Sequence, residues 1–180
     1  MKNTFYLLLF WLGLSLEVPA QAIWSADFPF AGELPSNEMT ELYQDEDGFV
    51  WIGTTNGLSR YDGYRLQTFQ TDYLHPNRLT HNHITCIAED SAYLWIGTRK
   101  GLNLIDKRTY RITTPGEAPL QTAHIRSLCS DGKSRIWIAL NDRLLESHFP
   151  YHEYTSINLP SPNGKPSYIC LLYTSPSPRD

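Results

Sequence analysis

The chain of 180 residues has little of what several common protein classes depend on. Its three cysteines are too few for a disulfide scaffold, and their spacing matches no paired metal-binding motif. It has no basic excess, since 15 Lys and Arg stand against 19 Asp and Glu and give a formal net charge of −4. Proteins that bind nucleic acid usually have a basic patch, so this balance argues against that class. No catalytic signature is present, and we expect no catalytic residue, metal ligand or cofactor.

Long apolar runs are absent except at the N-terminus. Lys2 precedes an apolar run from Phe5 to Leu16, and Ala20-Gln21-Ala22 follows it. A basic start, a short apolar core and an A-x-A end are typical of a secretory signal peptide. The alternative is an uncleaved anchor helix, but a membrane span needs about 20 apolar residues. We therefore expect residues 1–22 to be a signal peptide cleaved between Ala22 and Ile23, which places the mature chain outside the cytoplasm.

The C-terminal segment differs from everything before it. Residues 170–180, which read CLLYTSPSPRD, resemble one reading frame of the adapter that transposase-based sequencing kits join to DNA fragments. The alternative is a genuine linker rich in Pro and Ser. We expect this segment to lie outside the fold and the natural protein to continue past Ile169.

What the chain does contain is a repeat centred on tryptophan. The three copies are GFVWIGTTNGL at 48–58, AYLWIGTRKGL at 92–102 and SRIWIALNDRL at 134–144. Their tryptophans are 44 and 42 residues apart. A period of about 40 to 45 residues with four short strands is typical of a β-propeller blade. Within the first copy, Asn-Gly and Asp-Gly pairs predict tight hairpins, which enforce an antiparallel meander.

The predicted fold class is therefore all-β, a partial β-propeller of about three four-stranded blades plus the start of a fourth. No segment shows the periodicity of a helix. The predicted divisions are residues 1–22 (signal peptide), 23–36 (an N-terminal segment that could supply a closing strand), 37–80 (blade 1), 81–122 (blade 2), 123–165 (blade 3), 166–169 (start of blade 4) and 170–180 (adapter-derived tail).

Each repeat predicts particular structural roles. The tryptophan should wedge between neighbouring blades, and the glycine two residues later should leave room for an adjacent chain. The second glycine should permit the hairpin turn. In the third copy Ala139 and Leu140 replace Gly-Thr, and Arg143 takes the place of the turn glycine, which leaves the shape of that hairpin open. The predicted structural positions of the repeat are Trp51, Gly53, Gly57, Trp95, Gly97, Gly101 and Trp137.

The repeat resembles the two-component regulator propeller repeat. The segment QDEDGFVWIGTTNGLSRYDGY at 44–64 fits that pattern throughout, and NRLTHNHI at 77–84 resembles its inter-blade segment. The resemblance implies the periplasmic sensor region of a hybrid two-component system of the kind common in gut Bacteroidetes. It implies an oligosaccharide ligand, control of polysaccharide-utilisation genes, and a full-length protein that is a membrane-anchored, homodimeric sensor histidine kinase. The region itself would be no enzyme and would contact no nucleic acid.

Histidines and cysteines are the first candidates for chemistry. His75, His81 and His83 lie between the first two blades, either as a partial zinc site or as solvated loop residues. Zinc sites generally need three or four ligands in recognisable spacing, so we expect no metal. Cys86 and Cys129 lie in the first strands of adjacent blades, where a periplasmic disulfide or buried thiols would fit. We expect buried thiols.

Charged residues at turns and strand ends are the remaining candidates. Asp45, Glu46 and Asp47 precede a turn glycine, so turn chemistry explains them without a cation loop or an acid–base pair. Arg60–Asp62 and Arg99–Lys100 are expected to be exposed at strand ends, as sugar contacts or as ordinary surface residues. The ligand-binding residues stay unknown at this stage. Two alternatives to a sensor also stay open: an extracytoplasmic propeller enzyme, such as a lyase or glycosidase, and a scaffold propeller that binds proteins.

Overall fold

Three four-stranded antiparallel sheets make up the fold. A computed structural model describes residues 30–72, 78–131 and 133–157, and in each sheet the strands pair in the order of the chain. The first sheet contains β1 (Met39–Gln44), β2 (Val50–Thr54), β3 (Gly57–Tyr61) and β4 (Leu66–Phe69). The second contains β5 (Ile84–Glu89), β6 (Tyr93–Thr98), β7 (Gly101–Asp106) and β8 (Ile112–Thr113), and the third β9 (Ser127–Ser130), β10 (Arg135–Ala139), β11 (Leu144–His148) and β12 (Tyr154–Ile157). The all-β, bladed fold is confirmed.

Several predicted segments lie outside the described residues. They are the signal peptide with its cleavage point at Ala22 and Ile23, the start of a fourth blade at 166–169, and the adapter-like tail at 170–180.

Helix is confined to two short pieces of the described chain. A 3₁₀ helix spans Ala31–Glu33, and α1 spans Ala118–Thr122. No helical period marks α1 in the sequence, because five residues are too few to show one. Pro119 lies in its first turn, where a missing N–H costs nothing, and Leu120 is fully buried. In the described ranges neither helix has the length and apolar character to cross a membrane.

The sheets stack face to face, with a tryptophan in each of the two interfaces. Trp51 of the first sheet is 1% exposed and its ring centroid lies 5.8 Å from that of Phe69. Trp95 of the second sheet is fully buried and meets Tyr151 edge-on at 4.8 Å. Ile52, next to Trp51, is also buried, so β2 is covered on both faces, as its unbroken apolar run indicates. The core therefore lies between blades rather than on one face of a single sheet.

Two buried clusters fill these interfaces. The cluster between the first and second sheets contains Trp51, Leu58, Phe69, Leu79, Ile84, Ile87, Leu94, Ile96, Ile105 and Ile112. The cluster between the second and third sheets contains Cys86, Ala88, Trp95, Leu102, Leu104, Leu120, Ile125, Leu128, Ile136, Ile138, Leu140, Leu145 and Tyr151. Trp137 of the third sheet is half-buried, with the guanidinium carbon of Arg135 5.2 Å from its ring centroid.

The glycine after each of the first two tryptophans lies where the next sheet approaches. A Cβ added at Gly53 would come within 2.8 Å of Ile84 Cγ2, on the first strand of the second sheet. A Cβ added at Gly97 would come within 2.9 Å of Ile125 Cγ2 and would also collide with Cys86 Sγ. Backbone and side chain pack this closely only because the glycines have no side chain.

The hairpin that follows is closed by a threonine as well as by a glycine. Thr54 Oγ1 donates to the Gly57 carbonyl at 2.8 Å, and Thr98 Oγ1 donates to the Gly101 carbonyl at 2.7 Å. Gly101 has φ +104°, which an L side chain rarely adopts, and an added Cβ would lie 2.5 Å from the Gln121 carbonyl oxygen at the end of α1.

The third hairpin still forms without the Thr-Gly pair. The Leu140 amide donates to the Arg143 carbonyl at 2.9 Å, but pairing within the strands stops one residue earlier, at Ala139 and Leu144. Leu140 has no hydroxyl to close the turn, and its side chain is instead buried in the cluster between the second and third sheets. The substitution therefore lengthens the loop without removing the hairpin.

Replacing Trp95 by Ala is expected to lower the free energy of unfolding by about 3–5 kcal/mol, because it removes a fully buried indole. Urea unfolding of the protein measures the loss. The matched control is Tyr64→Ala, since Tyr64 is 86% exposed, and its cost should stay within about 0.5 kcal/mol. Equal losses in the free energy of unfolding for the two variants would contradict the packing of Trp95 between the sheets.

Replacing Gly97 by Ala is expected to destabilise the protein by about 1–3 kcal/mol, because the new methyl group collides with Ile125 and Cys86. The control is Gly116→Ala, where no atom lies within 4 Å of the added Cβ. Thermal melting of the two variants side by side tests the difference. A Gly97→Ala protein as stable as the Gly116→Ala protein would show that the two sheets are not in close contact there.

Candidate functional site

The aspartate-rich turn, one of the candidates for chemistry, is occupied by structural bonds. Asp45 Oδ1 accepts the Phe49 amide at 2.8 Å, and Asp45 Oδ2 accepts the indole N–H of Trp51 at 2.7 Å. Glu46 and Asp47 are exposed. The turn carboxylates are therefore not all solvated, because Asp45 accepts the hydrogen bond of the buried Trp51 indole.

The second sheet repeats this arrangement at Asp90, which is 1% exposed. Its Oδ1 accepts the amides of Ala92 and Tyr93 at 2.6 and 2.9 Å. Its Oδ2 accepts the indole N–H of Trp95 and, at 2.7 Å, the hydroxyl of Tyr151 from the third sheet. Burial and the Asp90 carboxylate raise the pKa of Tyr151 well above its ordinary value. All these bonds are structural.

The buried Glu89 carboxylate of the second sheet bonds to the first sheet as well as to its own. Glu89 is 6% exposed, forms an ion pair with Lys107 and accepts the Glu46 amide at 3.1 Å. Tyr43 Oη donates to Glu89 Oε2 at 3.4 Å, and burial together with Glu89 raises the pKa of Tyr43. These carboxylates have partners within the protein and do not converge on an open site.

The two charged segments considered for sugar contact lie at opposite ends of their blades. Arg99 and Lys100 form the exposed tip of the β6–β7 hairpin, whereas Arg60–Asp62 end β3. The expectation that Arg60 is exposed was wrong. Its guanidinium carbon lies 4.7 Å from the ring centroid of Phe49 and 4.2 Å from that of Tyr110, in the next sheet. Arg60 therefore packs between sheets, and the two segments do not form one surface.

The histidine and cysteine candidates form no metal site within the described ranges. His75 lies outside those ranges. His81 Nδ1 accepts the His83 amide at 3.0 Å, which ties it into its own loop. Cys86 is buried and Cys129 half-buried, and neither forms a disulfide. Burial raises the pKa of the Cys86 thiol to about 12.

The polar groups that do converge lie where the first strands of the three sheets begin. Strand β1 packs beside β5, and β5 packs beside β9. Between their starts lies a cleft of about 280 Å³, which we call the inner-rim cleft. Its lining residues are Thr40, His83, Ile84, Thr85, His124 and Arg126. The sequence did not indicate this site, because its members come from three sheets and only the stacking of blades brings them together.

Hydrogen bonds between blades hold the cleft in shape. Thr85 Oγ1 donates to the Ile125 carbonyl at 2.7 Å, and the Ile125 amide donates to the Thr98 carbonyl at 3.0 Å. Arg126 Nη1 donates to Asn141 Oδ1 at 3.4 Å, from the hairpin of the third sheet. The start of β9 is therefore fixed against the second sheet.

The lining residues of the cleft lie at equivalent positions in the three blades. Gly53, Gly97 and Ala139 pair with Glu41, Cys86 and Ser127 of the first strands. Counting back three residues from each of these partners gives Glu38, His83 and His124, and counting back one gives Thr40, Thr85 and Arg126. Each place is polar in all three blades, with His shared by two blades at the first place and Thr shared by two at the second. Glu38 and Arg126 are the residues that differ.

Burial keeps the imidazoles of the cleft neutral. It lowers the pKa of His83, and the positive charge of Arg99 lowers it further, while Glu38 acts in the opposite direction. Because each neutral imidazole has one donor and one acceptor nitrogen, the cleft offers both kinds of hydrogen bond.

The imidazole of His124 is also neutral. Burial lowers its pKa, and the charges of Arg126 and Arg99 add to the effect. The fixed positive charge near the cleft therefore resides on the two arginines.

A second, larger cleft of about 650 Å³ lies at the outer edge of the second sheet. It is lined by Tyr93, Asp106, Thr109, Tyr110, Arg111 and Thr113. Asp106 Oδ1 is used within its own turn, where it accepts the Thr109 amide at 2.8 Å and the Arg108 amide at 3.0 Å. Because this cleft involves one sheet and a self-contained turn, the inner-rim cleft is the stronger candidate.

Comparison with known protein families identifies the repeat. Residues 33–56 and 78–100 match the family model of the two component regulator propeller. These segments are two component regulator propeller repeats. The resemblance drawn from the motif is thereby confirmed for the first two blades. A search among curated proteins found no match.

Solved structures with the same fold include extracellular domains of hybrid two component systems. The extracellular domain of the hybrid two component system BT4673 from B. thetaiotaomicron is 28% identical, with a TM-score of 0.55 over 72% of this chain and 17% of that one. The extracellular domain of the hybrid two component system BT3049 from B. thetaiotaomicron is 24% identical, with a TM-score of 0.58 over 71% and 20%. The chain thus spans about a fifth of the length of these proteins.

Enzymes share the fold at lower identity. Virginiamycin B lyase from Staphylococcus aureus is 15% identical, with a TM-score of 0.53 over 72% of this chain and 44% of that one. At this identity the likeness shows the propeller architecture alone.

The buried thiol of Cys86 gives a direct test of the packing at the rim. A variant with Cys86 as its sole cysteine should not react with a thiol reagent at mildly alkaline pH, because the pKa of about 12 leaves almost no thiolate. The same variant unfolded in urea should react fully, which is the control. Rapid labelling of the folded protein would contradict the burial.

Proposed function

We propose that this chain is part of the ligand-sensing propeller of a hybrid two-component regulator, that its ligand is an oligosaccharide, and that binding controls polysaccharide-utilisation genes. The observation that supports this is the inner-rim cleft, where polar residues from three blades converge. The full-length protein would be a membrane-anchored, homodimeric sensor histidine kinase, with this region in the periplasm.

The composition of the cleft suits a saccharide. The neutral imidazoles of His83 and His124 can donate and accept hydrogen bonds with sugar hydroxyls. Thr85 Oγ1, whose proton is bonded to the Ile125 carbonyl, can still accept one. Ile84 is fully buried, so a sugar here would be bound through the polar groups of the cleft.

The position of the cleft suits a sensor. A ligand there would touch the first strands of successive blades, which are packed side by side. Because those blades are joined by bonds such as that from Thr85 to the Ile125 carbonyl, a ligand would act on a preformed frame. Binding to rigid elements loses less entropy than ordering a flexible loop.

The enzyme alternative has one observation in its favour. A glycosidase generally needs two carboxyl groups beside the scissile bond, and the six lining residues contain none. A lyase needs a base instead, and the neutral imidazoles of His83 and His124 could serve. Activity assays must therefore accompany binding assays.

The test uses the full-length protein that contains this chain and a panel of purified glycan oligosaccharides. Calorimetry should detect binding of at least one oligosaccharide, and chromatography should show it unchanged after prolonged incubation. Arg126→Ala should weaken binding, whereas Arg108→Ala, an exposed arginine in the β7–β8 turn, should leave it unchanged.

Two results would overturn the proposal. Cleavage of a bound oligosaccharide, lost in His83→Gln or His124→Gln, would establish the lyase. Absence of binding to every oligosaccharide, together with capture of a defined protein partner, would establish the scaffold.

A further inference from the structure

We infer that the inner-rim cleft selects an anionic saccharide, one that carries carboxylate or sulfate groups, with Arg126 and Arg99 as the residues that recognise the charge. The inference rests on the proposed function, since it names the class of saccharide that the same cleft takes.

The charge around the cleft opposes the charge of the chain as a whole. The chain has a formal net charge of −4, yet the six residues that line the cleft include Arg126 and no carboxylate. Arg99 lies beside the cleft, since its amide donates to the His83 carbonyl at 3.1 Å, and its charge lowers the pKa of both histidines. A local positive site on an acidic protein attracts anionic ligands, and its charge contributes little to the binding of neutral ones.

The carboxylates nearest to the cleft do not cancel this charge. Glu38 is exposed to solvent, which screens it, and of the two cleft histidines it affects the pKa of His83 only. Glu41 is half-buried opposite Gly53 and does not line the cleft. No described carboxylate forms an ion pair with Arg126, unlike Arg143, whose Nη2 lies 2.7 Å from Asp142 Oδ2.

Arg126 has the geometry to recognise an anion. Its Nη1 is oriented by Asn141 Oδ1 at 3.4 Å, and no described residue accepts a bond from its Nε or Nη2. These two nitrogens form the edge of guanidinium that binds carboxylate or sulfate through parallel bonds. The neighbouring hydroxyls and imidazoles would then bind the uncharged part of the sugar.

The experiment compares matched saccharides on the full-length protein containing this chain. The probes are oligogalacturonides with their methyl esters, and sulfated glycosaminoglycan oligosaccharides with their desulfated forms, because each pair keeps the sugar backbone while its charged groups are masked or removed. At least one anionic probe should bind, and its uncharged or less charged counterpart should bind roughly tenfold to a hundredfold more weakly. Added salt should weaken the binding of the anionic probe but not that of its uncharged counterpart.

Variants separate the role of the arginine from a general loss of structure. Arg126→Gln should remove most of the preference for the anionic form while leaving thermal stability unchanged, and Arg126→Lys should restore part of it through its charge. The matched control is Arg108→Gln, which should leave the preference intact.

The outcomes distinguish this inference from the proposed function. Equal or tighter binding of the uncharged probes, or of neutral oligosaccharides alone, would overturn the anionic preference and leave saccharide sensing in place. Anionic binding that is indifferent to Arg126→Gln would overturn the assignment to this cleft. Failure of every saccharide, charged or neutral, would overturn saccharide sensing and the inference with it.

Discussion

The hydrogen bond from a buried indole to a turn aspartate is the interaction on which the stack of sheets depends. An indole N–H buried between sheets must find an acceptor, because an unmade bond costs about 1–3 kcal/mol. Asp45 and Asp90 supply that acceptor with one carboxylate oxygen and hold their own turn with the other. The same residue therefore ends the first strand, orients the wedge and sets where the next sheet packs. Asp90 also accepts a hydrogen bond from Tyr151 of the third blade, which joins the second and third blades.

The repeat tolerates change only where the lost contact has a substitute. Leu140 cannot close its hairpin as Thr98 does, but it fills the core between the second and third sheets instead. Asp131 still accepts the amides of Lys133, Ser134 and Arg135, so the third turn keeps its shape. The third copy therefore still forms a blade, because its turn aspartate and its core residues are present.

The fold was predictable because the signals that determine it are local. A turn aspartate, a tryptophan and a turn glycine within one blade are enough to predict four short strands, and the observed strands follow them closely. The exposure of Arg60 was not predictable, because its partner Tyr110 comes from another sheet. The inner-rim cleft escaped prediction for the same reason: His83 and His124 are far apart in the chain, and no local pattern indicates that β5 and β9 lie side by side.

The same difference separates the buried positions of the blades from the exposed ones at the starts of the first strands. Positions that the blades share, such as Trp51 and Trp95, are buried and determine how the sheets stack. The cleft residues lie at the starts of strands, where His124 is only half-buried and Arg126 is exposed. Surface substitutions of that kind usually change stability little, so ligand contacts can change without disturbing the stack. At the place three residues before the partner of the glycine, the three described blades carry Glu38, His83 and His124, so a side chain there can differ while the buried positions stay the same.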